Sequence, residues 1–271
     1  MSWSFNVLLT GETPHLNWLL RPMEGGGLPL AGGYRGVLCQ ARGDWAWYCE
    51  IFFFPQWNEA VNMCWMCMAS NKIAHLTYTD CTEGANWRHT YFAHESFMQR
   101  LRALGYAIPI LFLCVIGFRF ECVVVDVLHT VEQGIGSHIV GNVLWTFGVL
   151  RNMFGGNTYA QRVARMDTHM RAWYRANRIP DKLQGPLTVE RLRSSKEWPK
   201  LKAKAAQTRQ LARYALTLVR EFGDDSMMDT LALGVCTCLV RFYEVLNEHT
   251  MVFPQDIHDE MPILGQKLAY M

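Results

Sequence analysis

Two pairs of metal-binding residue types stand in the first third of the sequence. Cys64 and Cys67 are separated by two residues, and His89 and His94 follow after 21 intervening residues. Two thiolates two residues apart can reach one ion from a tight turn, and two histidines can complete a tetrahedral N2S2 site for structural Zn2+. Cys81, between the two pairs, is an alternative ligand. The other interpretation is a pair of buried thiols beside surface histidines.

Acidic residues offer two further candidates for chemistry. Asp44 ends a segment that we expect to be a strand, residues 34–44, and a carboxylate at a strand end can hold Mg2+ in a two-metal phosphoryl-transfer site. The default interpretation of Asp44 is a turn residue. Asp126 and His129 are three residues apart on one helix face, where they could position each other or a phosphate. A helix-capping aspartate beside a half-buried histidine explains the same spacing.

Basic residues concentrate in one part of the chain, although the net charge of the whole is only +2. The stretch 151–213 contains 15 Lys or Arg against four acids, whereas the remainder contains 11 against 20. A basic block of this kind fits the phosphate backbone of nucleic acid. The alternative is a solvated helical surface that is rich in arginine. Four residues of the block are our candidate DNA contacts: Arg162, Arg165, Lys202 and Lys204.

The elements that must position these residues change character along the chain. Seven of the ten tryptophans and two glycine clusters lie in the first third, which predicts strands and short helices there. A second strand is predicted over residues 118–125, which are rich in β-branched and aromatic residues. Apolar residues at helical spacing predict helices over 126–153, 160–177, 196–222 and 227–249. The expected fold class is an α-rich α+β protein with a β-containing start.

Composition excludes several classes of protein. Half of the residues are apolar and 18% are charged, which argues against a disordered chain. Nine cysteines, an odd number, indicate a reduced intracellular compartment instead of a secreted disulfide framework. The start of the chain does not resemble a signal peptide, and the apolar run 107–118 is too short to span a membrane, so we expect no membrane partner. The motifs of common hydrolases are absent from the sequence.

The order of these motifs resembles eukaryotic cut-and-paste transposases, most closely the CACTA-type group and its Plavaka-like relatives. The resemblance covers roughly residues 35–150 and consists of Gly43-Asp44, the C-x2-C and H-x4-H pairs, Asp126-x2-His129 and the downstream Gly134 and Gly141-Asn142. It implies an RNase H-like core with a DDE carboxylate triad, a helical insertion with zinc ligands, and Mg2+-dependent cleavage and transfer of DNA strands. Asp44 would then be the second catalytic aspartate, with Glu197 or Glu190 as the terminal glutamate.

The resemblance also implies a division of the chain and a limit on its activity. Residues 1–60 would be a partial RNase H-like core segment, 61–155 the insertion, and 156–271 a basic and then acidic helical region. No aspartate precedes Asp44, so the chain is interpreted as the C-terminal portion of a transposase that is inactive by itself. Mg2+ is expected only if a catalytic site is complete.

Two functions are therefore expected from the sequence. The first is a transposase-derived nuclear protein of mobile-element origin, with DNA as its partner and self-association left open. The alternative is a non-catalytic, zinc-stabilised module for nucleic-acid binding or assembly. The two differ in whether carboxylates converge on Asp44.

Overall fold

The computed structural model describes residues 2–56, 58–59, 61, 63–193, 198–249 and 254–270. The chain divides into two units, Met1–Asp126 and Val127–Met271. Each unit has its own hydrophobic core. The boundary between them falls within the 61–155 segment of the sequence-based division.

The first unit consists of short helices joined by long irregular segments. Its helices are α1 (Ser2–Thr10), α2 (Trp45–Phe52), α3 (His94–Ala103) and α4 (Ile110–Cys114), with short 3-10 turns at Ala31–Gly33, Ala74–Leu76, Asn86–His89 and Phe120–Cys122. The core is a cluster of aromatic rings. Within it, the centroids of Phe54 and Trp65 lie 4.5 Å apart and those of Phe97 and Phe120 lie 4.2 Å apart, both pairs being stacked.

The strands predicted over residues 34–44 and 118–125 are wrong. The two segments meet at a single parallel bridge between Ala41 and Val123. The Ala41 N–H and C=O each make one hydrogen bond there, at 2.8 and 3.2 Å, and the described residues form isolated bridges but no sheet. The aromatic residues of the second segment turn into the core through the 3-10 turn Phe120–Cys122, so the regular alternation of a ladder is lost. The α-rich part of the expected fold class is confirmed.

The second unit is a bundle of longer helices. They are α5 (Gly136–Leu144), continued on either side by the π-helical turns Leu128–Ile135 and Trp145–Leu150, then α6 (Tyr159–Ala176), α7 (Val189–Leu192), α8 (Ala205–Phe222), α9 (Met227–Glu248) and α10 (Gln255–Tyr270). The helices predicted over 126–153, 160–177 and 227–249 are confirmed to within a few residues. In the bundle α8 packs against both α5 and α9. None of the described helices combines the length and the apolar character needed to cross a membrane.

The helix predicted over 196–222 begins only at Ala205. Residues 198–204 are not helical. Pro199 cannot donate a backbone hydrogen bond, and Leu201 is 2% exposed, because its side chain is inserted into the core of the bundle. The chain therefore runs past the helices in an extended form before α8 starts.

Candidate nucleic-acid interface

A basic cleft opens on the surface of the second unit, with a volume of about 540 Å3. Its cationic lining residues are Arg191, Lys200, Lys202 and Lys204. No aspartate or glutamate of the described residues lines it. Four positive charges around one space create a potential that attracts polyanions, and a concave surface concentrates that potential.

Three of the four cations come from residues 198–204, W-P-K-L-K-A-K, which we call the lysine segment. Trp198, Lys200, Lys202 and Lys204 are exposed, whereas Pro199 and Leu201 are buried and Ala203 is half-buried. In extended chain every second side chain lies on the same face, at a separation of about 6.6 Å along the backbone. The three lysines therefore leave the backbone in a row along one face of the segment, and all three line the cleft.

Backbone hydrogen bonds hold the lysine segment against the bundle. They run from Lys200 N–H to Leu192 O (2.8 Å), from Leu201 N–H to Ser137 O (2.9 Å), from Lys202 N–H to Arg191 O (2.7 Å) and from the Asn142 side-chain amide to Pro199 O (3.1 Å). Successive N–H groups thus point to opposite sides, as extended chain requires. Since these backbone groups are satisfied inside, the segment can present its lysine side chains outward.

Helix α5 can approach the lysine segment closely because residue 141 is glycine. A Cβ atom at this position would lie 2.6 Å from Leu201 N and 2.8 Å from Lys200 Cα. The neighbouring Asn142 donates to the same segment, at Pro199 O. Gly141 and Asn142 entered the sequence analysis only through the resemblance, and in the structure both position the lysines.

Two titratable side chains lie in the field of the lysine segment. Burial and, second, the charge of Lys200 lower the pKa of His138. The pKa of Glu190 is lowered by hydrogen bonds with the Glu190 backbone N–H and the Thr188 side chain, and the charge of Lys202 lowers it further. Glu190 lies outside the lining of the cleft.

No family model, curated protein or solved structure matches this chain. The chemistry of the cleft must therefore be inferred from its own side chains. Lysine and arginine without neighbouring acids bind phosphate groups.

The structure separates the four candidate DNA contacts into two groups. Lys202 and Lys204 line the basic cleft, whereas Arg162 and Arg165 do not. The Arg162 guanidinium donates to two backbone carbonyls, at 2.7 and 3.0 Å, and so stabilises the turn before α6. Arg165 is exposed on α6. The two arginines therefore do not belong to the same site as the lysines.

Arg191, Lys200 and Trp198 were not among the residues predicted from the sequence. A signal for Lys200 was present, because apolar and basic residues alternate with period two from residue 199 to residue 204, whereas the alternation does not include Trp198. The prediction of a helix over 196–222 hid that alternation. Arg191 carries no comparable signal, since it joins the cleft only through the fold.

The four predicted zinc ligands are brought together only in part. Cys64 and Cys67 share a hydrogen bond, which lowers the pKa of the Cys64 thiol and, together with burial, raises that of Cys67. The Nδ1 atom of His94 instead accepts the Phe120 N–H at 3.0 Å. Among the described residues, no group of three or more His, Cys, Asp or Glu side chains is placed to hold a metal ion.

His89 is the last residue of the 3-10 turn Asn86–His89. The segment that follows it lies beside residues 64–68, which contain Cys64 and Cys67. Thr90 accepts the Met68 N–H at 2.9 Å, and the Phe92 N–H donates to Met66 O at 2.9 Å. Cys81, the alternative ligand, is half-buried. Two thiols are a donor set suited to Zn2+, but the third and fourth donors are not in place in the described part of the chain.

The acidic candidates are dispersed. The Asp44 carboxylate accepts the Trp47 N–H at 2.7 Å and is the N-cap of α2, so the predicted strand-end position is wrong. Glu197 lies outside the described residues. Asp126 is the last residue of the first unit, and His129 is an exposed residue near the start of the first helix of the second unit. The D-x2-H motif itself stays a prediction.

Proposed function

We propose that this chain binds nucleic acid through its phosphate backbone, in the basic cleft of the second unit. The observation that carries the proposal is the convergence of Arg191, Lys200, Lys202 and Lys204 on one concave surface that no described acid lines. Phosphate contacts position a nucleic acid but carry no base information. The expected binding is therefore strongly dependent on salt and weakly dependent on sequence.

The cations of the cleft have different roles in this proposal. The three lysines are mobile point charges that can follow a flexible backbone, whereas Arg191 offers a planar fork. One arm of that fork already donates to Gln184 O at 2.7 Å, which fixes its direction. Arg191 therefore supplies a pre-oriented phosphate contact, and the row of lysines supplies the neighbouring ones.

The salt dependence of binding tests this proposal on the full chain. Neutralisation of four phosphates should give a slope of about −3 to −4 for log K against log salt on duplex DNA. The triple variant Lys200→Gln, Lys202→Gln, Lys204→Gln should bind much more weakly and should reduce that slope by about 3. Fluorescence anisotropy of a labelled oligonucleotide over a range of salt concentrations measures both quantities.

A matched control removes three charges from the same basic block but outside the cleft. Arg175, Arg178 and Arg213 are exposed and do not line the cleft. Their joint replacement by glutamine should leave most of the affinity intact. Equal losses in the two triple variants would show that binding depends on overall charge, and a flat salt response of the wild-type chain would refute the proposal.

A transposase-derived origin remains part of the proposal, supported by the order of the sequence motifs. An RNase H-like start would need a sheet, and the residues that the structure describes contain only isolated bridges. Asp44 is engaged as a helix cap. The proposal therefore assigns this chain nucleic-acid binding, with DNA as the expected partner, nuclear localisation and self-association as further expectations, and no cleavage step at Asp44 or Glu197.

Zinc is the second element of the proposal, supported by the Cys64–Cys67 pair. We expect about one zinc per purified chain, because two thiols two residues apart are half of the usual structural site, which two further donors would complete on metal binding. Serine replacement of both cysteines should remove the metal, and metal analysis by mass spectrometry measures it. Replacement of Cys39, an exposed cysteine, is the control. Zinc that persists without Cys64 and Cys67, or a metal-free wild-type protein, would contradict the expectation.

A further inference from the structure

The lysine segment begins with a tryptophan whose side chain is almost entirely in solvent. Trp198 is 84% exposed, the highest value for a large hydrophobic side chain among the described residues. Single exposed hydrophobic residues are common on protein surfaces, so exposure alone does not indicate a site. The position of Trp198 relative to the lysines is the second observation.

Trp198 stands two residues before Lys200, in the same register as Lys202 and Lys204. The buried residues Pro199 and Leu201 occupy the alternate positions. At two residues per step of about 6.6 Å, the indole and the three ammonium groups follow one another over about 20 Å of one face. The segment therefore places an aromatic plane at the end of a cationic row.

We propose that the nucleic acid bound by the lysine segment is single-stranded and that Trp198 stacks on one of its bases. In a duplex only base edges and the backbone are accessible in the grooves, so an indole has no free base face to contact. A single strand exposes its base faces, and it is bound by cationic grooves that also carry aromatic side chains. The proposal rests on the proposed function, because it names the form of nucleic acid taken by the same cleft.

The geometry divides the work between the two kinds of side chain. Lys200, Lys202 and Lys204 contact successive phosphates, which gives the expected salt dependence. Trp198 contacts a base, which adds affinity that salt hardly changes. Loss of the indole and loss of the ammonium groups should therefore have different signatures in the same binding experiment.

The test uses the full chain with labelled oligothymidine, oligouridine and a mixed-sequence duplex of the same length. The wild-type chain should bind the single strands more tightly than the duplex. Trp198→Ala should weaken single-strand binding by about 5- to 150-fold, the range found for loss of one stacked base. Its salt slope and its duplex affinity should be unchanged, and Trp198→Phe should restore most of the loss.

Trp18→Ala is the matched control, since Trp18 is 69% exposed and lies in the first unit. It should bind all three oligonucleotides like the wild type. Thermal unfolding of both alanine variants should match the wild type, because neither indole is buried. This comparison separates a loss of stacking from a loss of folded protein.

The outcomes distinguish this inference from the proposed function. Equal affinity for single strand and duplex, with no effect of Trp198→Ala, would overturn the inference and leave phosphate binding by the cleft in place. Absence of binding to any of the three oligonucleotides at low salt would overturn both. A preference for oligouridine over oligothymidine, or the reverse, would support the inference and assign RNA or DNA as the source of the strand.

Discussion

Replacement of Arg151 by methionine is expected to destabilise the second unit by about 3–5 kcal/mol. The Asp229 side chain is only 3% exposed, and both its oxygens accept hydrogen bonds from the Arg151 guanidinium, at 2.6 and 2.5 Å. The Asp224 N–H adds a third, at 2.8 Å. Without Arg151 a buried carboxylate keeps its desolvation cost and loses its counter-charge. Denaturant unfolding followed by circular dichroism measures the difference, with separate transitions fitted where the two units unfold separately.

Arg241→Met is the control for the loss of an arginine in the same unit. The Arg241 Nη2 and Glu260 Oε2 atoms lie 2.8 Å apart, but the two side chains are 34% and 31% exposed, so solvent screens the pair. Its loss should cost no more than about 1 kcal/mol. A cost below that value for Arg151→Met as well would show that the Asp229 carboxylate is readily hydrated in the folded protein.

The same ion pair predicts how stability changes with pH. The hydrogen bonds from Arg151 keep the pKa of Asp229 below its ordinary value. Burial of the carboxylate raises this pKa in part, and the hydrogen bond from the Asp224 N–H lowers it again. The folded pKa is thus lower than the unfolded one of about 3.9. Stability from this group is fully present above that value and is lost as the pH falls towards the folded pKa. Arg151→Met should lack this acid-dependent loss.

Gly141→Leu is expected to destabilise the second unit by about 2–3 kcal/mol and to abolish most binding at the cleft. Even the first atom of a side chain would meet the backbone of Lys200 and Leu201 at 2.6 to 2.8 Å. The lysine segment cannot retreat without breaking its hydrogen bonds to the carbonyls of Ser137 and Leu192. A gain in helix propensity of about 1 kcal/mol does not offset this.

Gly84→Leu is the matched control, because no atom lies within 4 Å of a Cβ placed at that glycine. Its effect on stability should stay within about 0.5 kcal/mol, as for other exposed sites. Unfolding and oligonucleotide binding are measured on both variants. Gly141→Leu with wild-type binding would show that the lysine segment does not need to rest on α5 to hold nucleic acid.

The basic block illustrates how a local composition is divided by the fold. Arg151 is committed to Asp229, Arg162 to backbone carbonyls, and Arg209 to the buried Glu132, so these charges stabilise the bundle. Lys200 and its neighbours are instead presented around a cleft. Counting charges predicted that the block could bind a polyanion. It could not indicate which of the charges would be available to do so.

The sequence by itself determined the features that depend on neighbouring residues. Helical periodicity predicted α6 and α9 nearly to their ends, because the apolar stripe of a helix is set by residues three and four apart. Asp44 was expected at a strand end or in a turn, and its role as the N-cap of α2 was not predicted. Basic composition indicated the half of the chain in which the structure places a cationic cleft.

Tertiary structure alone decided the features that depend on distant partners. Residues 34–44 and 118–125 have the composition of strands. A strand needs a hydrogen-bonding partner along its whole length, but these two segments pair at one bridge only, because the aromatic residues next to it turn into the core. The lysine segment is extended because Leu201 enters the core and its N–H meets Ser137, more than 60 residues earlier in the chain. Burial and hydrogen bonding between distant segments outweigh local preference at such positions. For that reason the sequence indicated two of the cleft's four cations, Lys202 and Lys204, but not Lys200 and Arg191.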